Sequence, residues 1–482
     1  MTHIAVIGTG YVGLVAGACL AGWGHHVTCI DRDKARVDGL RAGKMPIYEP
    51  GLLQLVEQGM ESRRLKFTSE IAPAVSTSDV VFLAVGTPPT PIDGEADLTD
   101  LFDCVREVAK TLKSGAVIVT KSTVPVGTGD ILESLIRKER QQLEIDVASN
   151  PEFLREGSAV KDFTRPDRIV IGTETENART LLTAVYADPI SRGHHFMATR
   201  RRNAELIKYA SNALLAAKIT FINEMADLCE AVDADVNDVA TGVGLDSRIG
   251  PQFLHAGPGY GGSCFPKDTV ALVRTAQEYG VTLRLVEATI AANNARKRHI
   301  SMKVRHVLHG RVEGKKIAVL GLTFKADTDD VRESPALSLI EVLQRSGAAI
   351  NGYDPEGITN AKAVLHDVAF FDDPYDCAKS CDAVVFMTDW NVLKNLDLAR
   401  LASLMRAPVM IDLQQIYPPE EAAKQGFVVE TIGRTGAEPH PVGSFQPNFL
   451  LSDINPLTRL PVLPKTAATP ETYDDKVAAA GT

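Results

Sequence analysis

His3-Ile-Ala-Val-Ile-Gly8-Thr-Gly10-Tyr11-Val12-Gly13 opens the chain and decides its fold. The run up to Gly8 is apolar throughout, as in strands buried on both faces of a parallel sheet. A helical pattern then runs from Tyr11 to about Gly22. Between them, Gly8 permits a tight turn, Gly10 lets backbone approach a pyrophosphate, and Gly13 allows close helix–strand packing. The helix N-terminus favours the phosphate charge. A second strand, His26-Val-Thr-Cys-Ile-Asp31, ends in an acid at the distance expected of a ribose ligand. Three glycines alone say little, but with both strands and the acid they predict a dinucleotide site. Asp31 favours NAD, because a carboxylate repels a 2′-phosphate. Arg32 has two readings: a solvated loop charge, or a residue beside the adenine that stacks there or admits NADP.

Outward from this unit, apolar strands recur at Val80–Val85, Val117–Thr120 and Arg168–Gly172, with helical segments between them. Such alternation predicts a doubly wound parallel sheet. From about Arg201 the pattern changes. Ala204–Ala231 contains neither Pro nor Gly and reads as one long helix. Its apolar positions exceed one face, which predicts burial between domains or subunits. Helices follow over Lys267–Tyr279 and Leu285–Val307, and a second alternating unit begins at Lys315. The expected architecture is α/β: two Rossmann-like doubly wound parallel-sheet domains joined by a central long-helix domain. The expected boundaries are 1–200, 201–310 and 311–445, with a largely disordered extension over 446–482 that is rich in Pro, Thr and Ala.

The 482 residues are ample for several cores, with 45% apolar and 23% charged residues. A net charge of -10 argues against general affinity for nucleic acid or anionic membranes. No apolar run reaches the ~18 residues of a membrane span. The strand at His3 leaves no room ahead of it for a secretory leader. Seven sparse cysteines, an odd number, argue for reduced thiols and a cytoplasmic location. Cys377 and Cys381 lack a second pair of metal-type spacing, so no metal is expected.

Several segments carry reactive residue types. Thr87 follows one strand and Thr123 another, where α/β sheets bind ligands; turn chemistry beside proline explains both equally well. Asn150-Pro-Glu152-Phe153-Leu154-Arg155-Glu156 puts two carboxylates on one face if the segment is helical. Lys208 and Asn212 share a face of the long helix and suit an oxyanion, or form an ordinary surface pair. Gly257-Pro-Gly-Tyr260-Gly261-Gly-Ser-Cys264-Phe265-Pro-Lys267-Asp268 sets one thiol among glycines with a cation nearby, which favours the thiolate. Its plain alternative is a flexible loop around an inert thiol. Phe324 and Lys325 stand where the second unit lacks a full glycine fingerprint; they suit a base and a phosphate. Arg332 either reaches the first site or caps a turn.

Taken together, Gly8–Gly13, Gly86–Pro89, Lys121–Pro125, Asn150–Glu156, Asn203–Asn212, Gly257–Asp268 and Gly321–Pro335 resemble the UDP-glucose/GDP-mannose dehydrogenases, over about residues 1–440. The resemblance implies four-electron oxidation of a nucleotide sugar at C6, with NAD as acceptor. It makes UDP-glucose the expected substrate. GDP-mannose or a UDP-N-acetylhexosamine is the alternative, and a single-step hydroxyacid dehydrogenase or a non-catalytic sensor is more remote. It also implies that Cys264 is the nucleophile, that Lys208 and Asn212 stabilise the oxyanion, and that Asp268 and Thr123 hold water or hydroxyl. Glu152 is the implied base for thioester hydrolysis. Gly8, Gly10, Tyr11, Val12, Gly13, Asp31, Arg32, Thr87, Thr123, Glu156, Lys267 and Arg332 are implied around NAD. Glu152, Phe153, Leu154, Arg155, Lys208, Asn212, Phe253, Tyr260, Gly261, Phe265, Phe324 and Lys325 are implied around the sugar nucleotide. Arg248 resembles an arginine sent into a partner's site, which implies a homodimer. At Asp412-Leu413-Gln414-Gln415 the chain departs from the family's Asp-Gly-Arg-Asn, so an uncharged amide replaces an arginine that binds the nucleotide sugar.

Overall fold

The apolar run at His3–Ile7 forms β1 and sits within an eight-stranded sheet, as its lack of a polar face requires. This computed structural model describes residues 1–90 and 94–434. The other strands of this sheet are β2 (His26–Ile30), β3 (Leu65–Thr68), β4 (Val80–Leu83), β5 (Val117–Thr120), β6 (Asp146–Ser149), β7 (Arg168–Thr173) and β8 (His195–Thr199). Their order is β3-β2-β1-β4-β5-β6-β7-β8. The chain leaves β1 toward β2 on one side and later returns to β4 on the other. That reversal opens a crevice at the carboxyl ends of β1 and β4. The sheet is parallel from β3 through β6, with Ile4 beside Val80, but β7 pairs with β6 antiparallel, Ala148 beside Thr173. Among the described residues this is the one antiparallel pair in the otherwise parallel, doubly wound sheet. β7 and β8 form a parallel pair that runs against the rest. Two apolar clusters cover the two faces; Ile4, Val6, Leu14 and Phe82 belong to one, Ala5, Ile7, Val81 and Leu101 to the other.

A second sheet contains β9 (Lys316–Leu320), β10 (Ala349–Tyr353), β11 (Val368–Phe370), β12 (Ala383–Phe386), β13 (Val409–Asp412) and β14 (Val428–Thr431). All its pairs are parallel, in the order β11-β10-β9-β12-β13-β14, with the same reversal around β9. Asp354, just after β10, matches Asp31 after β2. Its Oδ2 accepts the N–H groups of Leu322 and Thr323, at 2.7 and 3.0 Å, and Oδ1 accepts that of Gly357 at 2.7 Å. What separates this unit from the first is its missing glycine fingerprint, not the bonding of the acid.

The long helix spans Arg201–Val232, and helices at Phe265–Glu278 and Arg284–Val307 follow. Chain contacts divide the described residues into two compact units. One comprises residues 1–211 and 270–282, the other 212–269 and 283–434. Leu214, Phe221 and Leu228 recur every seven residues along the long helix and are 66%, 47% and 52% exposed in the single chain. The extension expected over 446–482 lies outside the described residues, as do positions 435–445 of the expected third domain.

Candidate active site

At the crevice of the first sheet, Gly8 has φ +98, and a Cβ there would lie 2.3 Å from the Ala84 carbonyl oxygen. A Cβ at Gly13 would lie 1.9 Å from the Gly8 carbonyl oxygen. These two glycines are required by the protein itself. A Cβ at Gly10 would meet no atom of the described residues within 4 Å, so Gly10 borders open space. Asp31 is fixed at this mouth. Its Oδ2 accepts the Thr9 N–H at 2.8 Å and the Thr9 hydroxyl at 2.7 Å, and Oδ1 accepts the Asp33 N–H at 3.0 Å. Burial opposes its charge, but these donors and Arg36 hold it below the usual carboxylate value. A glycine cradle open at Gly10, a helix N-terminus and an ionised acid fit NAD: backbone for pyrophosphate, Asp31 for ribose. Arg32 is exposed and makes a two-pronged pair with Asp100, at 2.9 and 2.8 Å.

Tyr11 and Val12 begin the first helix. The Tyr11 hydroxyl bonds Glu49 and accepts the Gly157 N–H at 2.8 Å, and that N–H also lies 2.7 Å from Glu49 Oε2. Burial and the Glu49 carboxylate hold the phenol protonated. Glu49 thereby fixes Gly157, and with it the neighbouring Glu156, against the glycine turn. The Thr87 hydroxyl donates to the Thr123 carbonyl at 2.8 Å, tying together the loops after β4 and β5.

In the same unit, Lys208 Nζ lies 2.7 Å from Glu152 Oε1, and both side chains are buried. Burial alone would raise the Glu152 pKa; Lys208 and the Leu154 N–H pull it below the usual value. The Phe153 ring has the Arg168 guanidinium 3.9 Å from its centre and Lys208 Nζ at 5.6 Å. Residues Asn150–Glu156 are not helical, which corrects the condition under which Glu152 and Glu156 would share a face. Pro151 removes a donor and biases Asn150 toward extended backbone. Arg155 is drawn off to Asp162, with bonds of 2.9 and 2.7 Å.

In the second unit, Asn212 Nδ2 donates to Asp268 Oδ2 at 2.6 Å, and Lys267 Nζ lies 2.6 Å from Asp268 Oδ1. Cys264 immediately precedes the helix Phe265–Glu278, and its carbonyl accepts the Asp268 N–H at 2.8 Å. The residue is partly exposed just ahead of a helix N-terminus, a place that favours negative charge. The other six thiols differ. Burial pushes Cys19, Cys29 and Cys104 up to about 12 and Cys381 to about 11, and also raises Cys229 and Cys377.

Phe265 packs against Tyr260 and Phe253, with ring centres 6.0 and 6.2 Å apart. Phe253 adopts φ 64, unusual for a bulky residue. A Cβ at Gly261 would lie 2.3 Å from the Glu333 carbonyl oxygen, and one at Gly262 would lie 2.8 Å from the Phe324 ring. The thiol loop therefore rests on the segment after β9 that carries Phe324, Lys325 and Arg332. Arg332 pairs with Asp330 through bonds of 2.8 and 2.7 Å. Gln414 Nε2 donates to the Met387 carbonyl at 2.7 Å. Arg248 is exposed and pairs with Asp246 at 2.6 Å. Among the described residues no three His, Cys, Asp or Glu side chains cluster as a metal site.

Sequence reasoning passed over Glu49, Lys121 and Glu205, all buried and polar. Glu49 sits in a loop without periodicity and gave no signal. Lys121 follows the fully buried central strand Val117–Thr120, and Glu205 is a buried carboxylate on the long helix. In both cases a polar group on an apolar element was the available sign.

A dinucleotide cradle on one sheet and a thiol loop against another define a nicotinamide-dependent oxidoreductase. Residues 2–190 match the NAD binding domain of the UDP-glucose/GDP-mannose dehydrogenase family, 202–295 its central domain and 318–419 its UDP binding domain. The chain belongs to the UDP-glucose/GDP-mannose dehydrogenase family. It is 53% identical over 433 residues to UDP-glucose 6-dehydrogenase of Rhizobium meliloti (strain 1021), covering 89% of this chain and 99% of that protein. It is 45% identical over 447 residues to UDP-glucose 6-dehydrogenase TuaD of Bacillus subtilis (strain 168), covering 91% and 95%. Among solved structures it resembles a UDP-glucose dehydrogenase from Pyrobaculum islandicum, with a TM-score of 0.83 and 37% identity over 90% of this chain and 98% of that one.

Proposed function

We propose that this protein oxidises UDP-glucose at C6 to UDP-glucuronate, consuming two NAD. The observation that carries the reading is Cys264, outside any disulfide and partly exposed just ahead of a helix N-terminus, in a chain with an NAD binding domain. Bound NAD supplies the acceptor for each of the two hydrides a primary alcohol loses on becoming a carboxylate. Cys264 handles the aldehyde stage. Its thiolate adds to the carbonyl carbon, giving a thiohemiacetal that still bears a hydrogen to lose. Loss of that hydride leaves a thioester, and water cleaves it to carboxylate and free thiol.

Lys208 and Asn212 donate to the oxygen as it gains negative charge. Glu152, ionised beside Lys208, takes the proton from the attacking water, and Asp268 and Thr123 hold the hydroxyl or water involved. Phe153, Leu154, Arg155, Phe253, Tyr260, Gly261, Phe265, Phe324 and Lys325 line the sugar nucleotide. Thr87, Glu156, Lys267 and Arg332 line NAD. Two copies pair through Leu214, Phe221 and Leu228 of the long helix, an apolar seam exposed in the single chain, and Arg248 serves the partner's site. Sedimentation at a monomer mass would remove this pairing. Seven cysteines outside any disulfide suit a reducing compartment, the cytoplasm.

The deciding measurement is stoichiometry. Two NADH should form per UDP-glucose, and Cys264→Ser should lose the second. One NADH per sugar with the native thiol removes the thioester route. The uncharged Gln414 gives a second reading its footing: GDP-mannose or a UDP-N-acetylhexosamine turned over faster than UDP-glucose would establish it.

A further inference from the structure

Glu205 lies on the long helix three residues before Lys208 and is 3% exposed. Its carboxylate gathers three donors. Oε2 accepts the Gly127 N–H at 2.7 Å, and Oε1 accepts the Gly129 N–H at 2.9 Å and the Ser149 hydroxyl at 3.0 Å. Each donor lies on, or runs directly into, a segment with a site residue. Gly127 ends the loop that holds Thr123, and Gly129 follows it in the first turn of the helix Thr128–Glu139. Ser149 closes β6 and leads directly into Asn150-Pro151-Glu152.

The backbone is shaped for this contact. Gly127 has φ +95, a conformation L side chains rarely adopt. A Cβ at Gly129 would lie 3.1 Å from Glu205 Oε1 and 3.3 Å from the Ser149 hydroxyl, so a side chain there would crowd the carboxylate. Thr87 holds the same loop from its other side, through the Thr123 carbonyl. We propose that Glu205 is a positioning residue for the oxidation: its carboxylate sets the Thr123 loop and the Glu152 segment in register with Lys208. Glutamine cannot replace it, because one of its two ends would turn an N–H toward an N–H.

The inference rests on Thr123 acting in the proposed oxidation. Its test is a double-mutant cycle of Glu205→Gln and Thr123→Ala in the full chain. Melting checks the fold, and hydrogen exchange over residues 121–130 of the NAD-free protein reads the loop directly. Glu205→Gln should speed that exchange and lower kcat about 100-fold, the effect of misplacing a reacting group by about 1 Å, with KM changed less than about 3-fold. Thr123→Ala should then cost at least about 10-fold less in the Glu205→Gln background than in the native chain. If Glu205→Gln fails to fold, Ser149→Ala, which removes one donor, should give the same coupling with a loss of about 3- to 10-fold. Additive losses or unchanged exchange overturn the clamp alone. Full turnover in Thr123→Ala by itself overturns both the role of Thr123 and the clamp.

Discussion

Lys208 Nζ and Glu152 Oε1 lie 2.7 Å apart with both side chains at most 4% exposed, so neither charge has water as an alternative partner. Removing one partner of a buried pair leaves the other uncompensated and costs about 3–5 kcal/mol. Lys208→Met should lose stability of that order in urea unfolding. Lys208→Met with Glu152→Leu should recover most of it while turnover stays lost. A double variant as unstable as the single one would show that the pair is not what holds these segments. Because the Glu152 pKa is lowered in the fold, its contribution is present above the unfolded value of 4.5 and is lost as pH falls through the lower folded value. The native chain should therefore lose stability below pH 4.5 more steeply than the double variant.

The three cradle glycines should separate into two kinds. Gly8→Ala and Gly13→Ala each place a carbon within 2.3 Å of a carbonyl oxygen, so both should melt earlier or fail to fold. Gly10→Ala meets no described atom within 4 Å, so it should fold with its melting point nearly unchanged. Its methyl would then occupy the space for pyrophosphate. NADH fluorescence titration should show affinity weakened at least about 10-fold. Native affinity in Gly10→Ala would move the pyrophosphate away from this turn.

How much of this was legible in the sequence follows from how local each signal is. The strand–glycine–helix unit at His3–Gly22 was readable because turn and periodicity lie within a few residues. The short strands β6 and β8 were not, since Asp146-Val-Ala-Ser149 and His195–Thr199 carry no clear alternation and gain their identity from neighbours. The antiparallel turn at β7 is likewise a tertiary choice. Cys264, Lys208 and Asn212 stood out by residue type and context. Which residue each would pair with did not, because Lys208 finds Glu152 and Asn212 finds Asp268 each across 56 residues of sequence.

Cysteine chemistry gives a test independent of substrate. Burial raises the other six thiols, whereas Cys264 is partly exposed at a helix N-terminus. The thiolate is the form that alkylates. Brief iodoacetamide treatment of the folded protein at neutral pH, followed by peptide mass mapping, should mark Cys264 at least about 10-fold faster than any other cysteine. Equal labelling of Cys104, which is also only partly buried, would remove the distinction.

Lys121 supplies the last test, and its sign is opposite to that of an ordinary ion pair. The side chain is buried at the end of β5, where Nζ lies 3.0 Å from Asn150 Oδ1 and 5.6 Å from the centre of the Phe163 ring. Burial pulls its pKa down to about 7, with Glu152 opposing and Lys208 assisting. Below that value the lysine is charged in both the folded and unfolded states, and the fold bears the cost of the buried charge. Between about 7 and the unfolded value of 10.5 only the unfolded chain binds the proton. Stability should therefore rise with pH across that window, by about 1.4 kcal/mol per unit from this group. Lys121→Met lacks the proton at every pH, so its urea midpoint should exceed the native one at pH 7 and lose that advantage by pH 9.5, near the top of the window. Parallel midpoints for the two proteins across this range would mean that Lys121 keeps its proton in the fold, and the cluster it shares with Glu152 and Lys208 would then carry two full positive charges against one negative.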